Sequence, residues 1–329
     1  MIGETADRPR TPPSDSGFEL VYRIEVESFK RTVLRRWVRL SSSSEGYKAM
    51  RELFTMWRDT RMIMLVAVVA AVYAALLIPF AGLVIIPGIT AVRPGNVIPV
   101  IFGLMFGPAA AWGSAIGNLI NDIFAGTFGP GSAFGFVGNF FFGLLGYKLW
   151  GNLGALSSGV EPDFREKPGR QLLEFAVVGI VASAACAAII AWGLEVLGLF
   201  PFSVLGTVIF VNNTIAVLVL GPPLLYLTYP RIKAMGLLYP DLLHGEDLPE
   251  TSATRAQTAA FGLAVVSVVW VVVGIAFSLG IQDVPFGVEQ AEVFGEGGAT
   301  VQILLGAVGF LVVLSLTAIS GERLSRMLD

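Results

Sequence analysis

Polar side chains are scarce in this chain, and those embedded in its apolar stretches are the ones that could do chemistry. Arg93 and Asn96 sit in the run ITAVRPGNVIP, Asn118, Asn121 and Asp122 in SAIGNLINDIF, and Asn139 in FGFVGNFFFG. Trp192 and Glu195 lie in IIAWGLEVLG, and Asn212 and Asn213 in VIFVNNTIAV. A polar group in apolar surroundings is costly unless it has a partner or a task. One guanidinium, two carboxylates, an indole and several amides could together bind a small, partly charged solute. The alternative is structural: the asparagines hydrogen-bond between helices, and Arg93 pairs with Asp122.

Catalytic constellations are missing. No G-x-x-x-x-G-K-[ST] loop is present to cradle a nucleotide, and the chain has neither H-E-x-x-H nor G-x-S-x-G. One histidine and one cysteine, Cys186, cannot supply a disulfide framework, a Cys/His metal site or a conventional thiol and imidazole pair. An intramembrane carboxylate pair would have to come from Asp122, Glu174 and Glu195, each near the end of an apolar stretch. The expectation is a protein that is not an enzyme and holds no cofactor of its own.

The elements that position these groups follow from composition. The chain has 329 residues, 54% of them hydrophobic and 14% charged, with a mean hydropathy of +0.73, which excludes a soluble globule. Its net charge of -3 provides no basic field for nucleic acid. Stretches of spanning length fall at Met62 to Ile86, Leu172 to Leu199, Val204 to Tyr229, Thr258 to Gly280 and Val301 to Ser320. Between Val97 and Trp150 glycine and proline divide the chain into three shorter pieces, Val97 to Phe106, Pro108 to Ala125 and Ala133 to Trp150. The first is too short to cross alone, so it is expected to be a short span or a re-entrant helix covered by protein.

Charge tests the eight-span map. With the N-terminus inside, every Lys and Arg except Arg93 falls on the cytoplasmic side. The loop from Ile281 to Thr300 carries Asp283, Glu289, Glu292 and Glu296 and no basic residue. Both termini are therefore expected in the cytoplasm of a multi-pass plasma-membrane protein. No cleavable signal is expected, because the first apolar span follows about sixty polar residues. Residues 1–57 read as a cytoplasmic segment, with strand-like alternation from Phe18 to Val26 and a basic amphipathic stretch from Lys30 to Leu40 suited to the membrane surface. Residues 58–230 read as the membrane core, 231–257 as a cytoplasmic linker and 258–329 as a two-helix hairpin.

Small residues supply two further patterns. Gly103 to Gly107, Gly113 to Gly117 and Gly131 to Gly135 are G-x-x-x-G pairs, expected to pack helices within the molecule. Ala67, Ala71 and Ala75 recur every four residues on the first span and so share one smooth helix face.

From Arg61 to Arg231 the order of features resembles the substrate-binding S component of energy-coupling factor (ECF) vitamin transporters. An alanine-striped first helix is followed by RPGNVIPVIFGLMFGPAAAWGSAIGNLINDIFAG, then GSAFGFVGNFFFGLLGYKLW, then two longer spans. The resemblance implies an all-α polytopic fold with a six-helix core, here with two additional C-terminal helices, around an outward-facing solute pocket. By position, Arg93 and Asn96 match the loop that closes the pocket, and Asn139, Trp192, Glu195, Asn212 and Asn213 match the pocket helices; Asn118 and Asp122 belong to the same polar set. Ala67, Ala71 and Ala75 match the face that docks on a transmembrane coupling subunit. ATP is then used by two partner ATPases rather than by this chain. Met1, Ile2 and Gly3 lack the N-terminal histidine ligands of the metal-transporting relatives, so the expected cargo is an organic micronutrient such as a vitamin or related heterocycle.

Two other classes stand beside this reading. An autonomous secondary carrier or channel should show broken helices in two corresponding halves and a midplane ionisable relay, and only one broken region, Gly95 to Gly107, is visible. A membrane scaffold or assembly protein would instead work through the stretch from Phe18 to Leu40.

Overall fold

The computed structural model describes residues 50–80, 84–86, 90–91, 93–243, 247–248, 251–279 and 300–328. The Phe18 to Val26 and Lys30 to Leu40 stretches and the acidic loop from Asp283 to Glu296 lie outside the described residues. The described part is an all-α polytopic membrane fold. Its long helices are α1 (Thr60–Leu77), α2 (Val97–Phe106), α3 (Pro108–Phe124), α4 (Gly131–Leu149), α5 (Pro168–Val196), α6 (Phe202–Ala234), α7 (Ala253–Ser278) and α8 (Thr300–Ile319). Five segments, built on α1 and α5 to α8, are long and apolar enough to cross a bilayer.

The first span starts where Asp59 caps it, its carboxylate accepting from the N–H of Arg61 at 2.7 Å and of Met62 at 3.0 Å. It ends earlier than the hydropathy suggested. Pro79 removes a backbone donor, the helix tightens into a 3-10 turn over Ile78–Phe80, and Val84–Ile86 becomes a strand, β1, paired antiparallel with β2 (Thr90–Ala91). Apolar content extended the expected span to Ile86, but the β-branched run Val84, Ile85, Ile86, set between Gly82 and Pro87-Gly88, forms a hairpin arm instead.

Helix α2 has ten residues and rises about 15 Å, half of a hydrocarbon core. Nearly every one of its side chains is buried, against α4, α6, α3 and α1. It is entered through a 3-10 turn, Pro94–Asn96, and Arg93 and Asn96 of this segment line a cavity. The chain then reverses at Gly107, whose φ of 53° falls in the left-handed region, and Pro108 begins α3.

The glycine pairs act differently from one another. A Cβ on Gly113 would lie 2.9 Å from Val66 O, and one on Gly117 2.9 Å from Ala70 O, so this pair seats α3 directly on α1. Gly143 and Gly146 do the same for α4, at 2.9 Å from Ala110 O and Val100 O. Gly103 packs against Gly143 of α4, Gly107 makes the turn with the Tyr239 ring against it, and Gly135 faces Asn118.

The C-terminal hairpin, α7 and α8, packs on α5 and α6, whereas α1 packs on α3 and α2. Ala67, Ala71 and Ala75 are consequently exposed, in a face continued by Met64 and Val68.

At the end of the bundle opposite the Arg93 to Asn96 segment, Glu52, in a one-turn helix over Glu52–Thr55, is wholly buried against Lys148 of α4, with Nζ 2.6 Å from Oε1. Tyr147 donates to the same carboxylate oxygen at 3.1 Å. Its ring lies 5.2 Å from that of Tyr239, whose hydroxyl donates to Glu322 at 2.6 Å. Lys148, which the charge pattern counts among the cytoplasmic basic residues, is thus fully buried.

Candidate functional site

A cavity of about 470 Å³ opens between α1, α3, α4, α5 and α6. Its floor is a polar network contributed by four elements. Tyr73 of α1 places its hydroxyl 2.9 Å from Asn96 Oδ1 and 2.8 Å from Asn139 Oδ1, and its single proton bridges the two amide oxygens. Asn96 donates through Nδ2 to Asn213 Oδ1 of α6 at 2.5 Å, and Asn139 donates to Gly135 O, one turn back on α4, at 2.8 Å. All four side chains are buried, so leaving any of their polar atoms unpaired would be costly.

The wall carries the charges. The guanidinium of Arg93 donates through Nη1 to Asn118 Oδ1 at 3.5 Å, and Asn118 donates to Asp122 Oδ2 at 3.4 Å, one turn further along α3. The backbone N–H of Arg93 is 3.5 Å from Asn212 Oδ1 of α6. These long hydrogen bonds hold Arg93 loosely, and no ion pair closes between Arg93 and Asp122. Neither charge is neutralised by the other, and the Asn118 amide touches each; Asp122 also accepts from Ser132 and Asn121. Ser132, Thr127, Cys186 and Phe200 complete the chemically varied part of the lining, with Ile190, Leu205 and Ile209 as apolar walls.

The structure brings Arg93, Asn96, Asn118, Asp122, Asn139, Asn212 and Asn213 together around this cavity. It does not bring Trp192 or Glu195 there. Trp192 points to the other side of α5, edge-on to Phe134 at 5.9 Å and Trp270 at 6.1 Å and stacked on Phe310 at 6.1 Å, so it anchors the C-terminal hairpin. Glu195 accepts from the N–H of Phe202 at 2.9 Å and so fastens the first residue of α6. Both lie near the C-terminal end of α5, at the height of the cavity, but the helix periodicity turns them away from it.

Tyr73 is a cavity residue that scarcity of polar groups alone does not single out. Its signal was present: it is the one hydroxyl in MLVAVVAAVYAALL, and it shares a face with Val66, Val69, Ala70 and Leu77, away from the alanine stripe.

A solute-sized polar cavity in a helical bundle, lined by amides and one unpaired charge of each sign, defines a membrane protein of the solute-binding transport class. The QueT transporter family matches residues 63–230, more than half of the chain and nearly all of α1 to α6. The chain belongs to that family, one of the S components of ECF-type transporters, whose members are transporters and not enzymes. The match ends before α7, so the C-terminal hairpin lies outside it. No curated protein and no solved structure matches the chain.

Proposed function

We propose that this chain is the substrate-binding subunit of an ATP-driven importer of a queuosine precursor or a closely related flat heterocycle. The family is described as a queuosine precursor transporter, and the observation that carries the reading here is the juxtaposition of Arg93, Asn118 and Asp122 on one wall of a 470 Å³ cavity. A guanine-like ring presents a carbonyl acceptor beside a donor pair at its amidine edge. The Arg93 guanidinium suits the carbonyl, and the Asp122 carboxylate suits the two donors, each as a charge-assisted hydrogen bond. Asn139, Asn212 and Asn213 supply adaptable donors and acceptors for the remaining substituents.

The same reading assigns Ala67, Ala71 and Ala75 to docking on a transmembrane coupling subunit driven by two ATPases. The exposed α1 face supports this, and so does the placement of the C-terminal hairpin on α5 and α6, which leaves that face uncovered. The cavity opens outward and both termini are cytoplasmic in this reading, which the charge pattern supports: every Lys and Arg but Arg93 falls in sequence segments assigned to the cytoplasmic side. The test is calorimetric titration of the purified chain with 7-deazaguanine precursors, with adenine as the control. Saturable, one-to-one binding of the deazaguanine alone is expected; equal binding of both bases would overturn the substrate assignment.

A further inference from the structure

A second concavity, of about 520 Å³, lies on the lipid-facing surface away from the solute cavity, formed by Phe164, Pro168 and Leu172 on one side and Pro222, Pro223 and Tyr226 on the other. Its lining is almost wholly apolar and open: Leu172 and Tyr226 are each about half exposed. The two consecutive prolines of α6 lack the backbone donors that would bond the carbonyls one turn earlier.

Cations flank this groove. Arg165 holds its guanidinium 5.5 Å from the centroid of the Tyr226 ring, which stations a charge at the groove edge. Lys167 and Arg170, both exposed, bracket the lining residues Pro168 and Gly169 at the start of α5. The nearby carboxylates are largely committed: Glu161 pairs with Lys233 at 2.6 Å, and Asp163 accepts from the Arg165 N–H at 2.9 Å, leaving Glu166 as the exposed acid. With 29 residues, α5 rises about 43 Å against a hydrocarbon core of about 30 Å, which puts its first turn at headgroup depth.

We infer that this groove is a binding site for an anionic phospholipid of the inner leaflet, with one acyl chain against Leu172, Pro222 and Tyr226 and the phosphate at Arg165, Lys167 and Arg170. An apolar trough ending in cations matches such a lipid in both halves: chain burial gives affinity, and the cluster of Arg165, Lys167 and Arg170 favours a headgroup of net negative charge over a zwitterionic one, whose phosphate is the same but whose quaternary ammonium it repels. The inference rests on the orientation proposed above.

The test is native mass spectrometry of the full chain, purified in mild detergent and offered equimolar phosphatidylglycerol and phosphatidylcholine. One retained phosphatidylglycerol is expected. Arg165→Ala and Arg170→Ala should each reduce its retention on the order of fivefold. Gly169→Trp should displace it by filling the groove, since a Cβ at Gly169 meets nothing within 4 Å and the fold tolerates it. Titration of the same samples with the solute reports the outer cavity separately, so loss of lipid with solute binding intact isolates the groove. Equal retention of the two lipids, or retention indifferent to all three substitutions, would overturn the proposal. So would a groove that takes no lipid and is instead covered by a coupling subunit whose assembly Gly169→Trp blocks.

Discussion

Tyr73 and Asn139, 66 positions apart on the first and fourth helices, meet at 2.8 Å at the base of the solute cavity. The same hydroxyl also touches Asn96, so one phenol joins α1, α4 and the segment entering α2. Tyr73→Phe removes that hydrogen and leaves buried amide oxygens unpaired, a loss of about 1–3 kcal/mol. Solute affinity should fall roughly tenfold with the helical spectrum unchanged. Unaltered affinity would make the contact merely structural.

The charged wall should show a different signature. Asp122→Asn keeps size and one acceptor but loses the anion, and Arg93→Ala removes the cation; each costs about 1.5–3 kcal/mol of charge-assisted hydrogen bonding to the solute. A loss of one to two orders of magnitude in affinity is expected from titration of either variant. The Asp122→Asn loss should shrink for a solute analogue lacking the exocyclic amine, because the carboxylate then has less to accept.

Trp192 serves the opposite purpose. Truncation to alanine empties the space between Phe134, Trp270 and Phe310 and should cost about 3–5 kcal/mol of stability. Thermal unfolding should move down by several degrees while solute affinity of the folded fraction stays within about threefold. A selective affinity loss without destabilisation would return Trp192 to the solute site.

The buried Glu52 and Lys148 pair gives a fourth test. Lys148→Met strands a carboxylate at zero exposure and should destabilise by about 3–5 kcal/mol, whereas the double change Glu52→Gln with Lys148→Met should recover much of that loss. Additive losses in the double-mutant cycle, read by chemical unfolding, would mean that the two side chains do not interact.

Most of this architecture was legible in the sequence because hydropathy and charge act over whole spans. The helix pattern from α1 to α8 emerges from apolar length, and the short α2 from its Gly and Pro boundaries. Arg93, Asn118 and Asp122 stood out because charge and amides are expensive among apolar neighbours. What escaped depended on angle around a helix or on residues far apart in sequence. Trp192 and Glu195 are at cavity height but on another face of α5, and Tyr73 looks like one more large residue until Asn96 and Asn139 approach it. Val84–Ile86 is as apolar as the helix before it, and only Pro79 and the glycines around it mark the hairpin. Lys148 reads as one more basic residue of the charge pattern, because its partner, Glu52, sits in a segment that composition separates from the core.

The alanine face separates two activities. Ala71→Trp puts a large ring on an exposed stripe of α1, 4 residues from each flanking alanine, without touching the cavity. Solute affinity of the isolated chain should be unchanged, and ATP-dependent uptake by the assembled complex should fall at least tenfold. Loss of binding and uptake together would show that the stripe is not a separate docking surface.

The central claim is that this chain binds solute but does not move it unaided. The most direct measurement is uptake of a labelled 7-deazaguanine precursor into proteoliposomes, comparing the chain alone under proton and sodium gradients with the chain reconstituted beside a coupling subunit and two ATPases over internal ATP. The account predicts no uptake beyond stoichiometric binding in the first case and many turnovers per chain in the second. Sustained gradient-driven uptake by the chain alone would contradict it and make the protein an autonomous carrier.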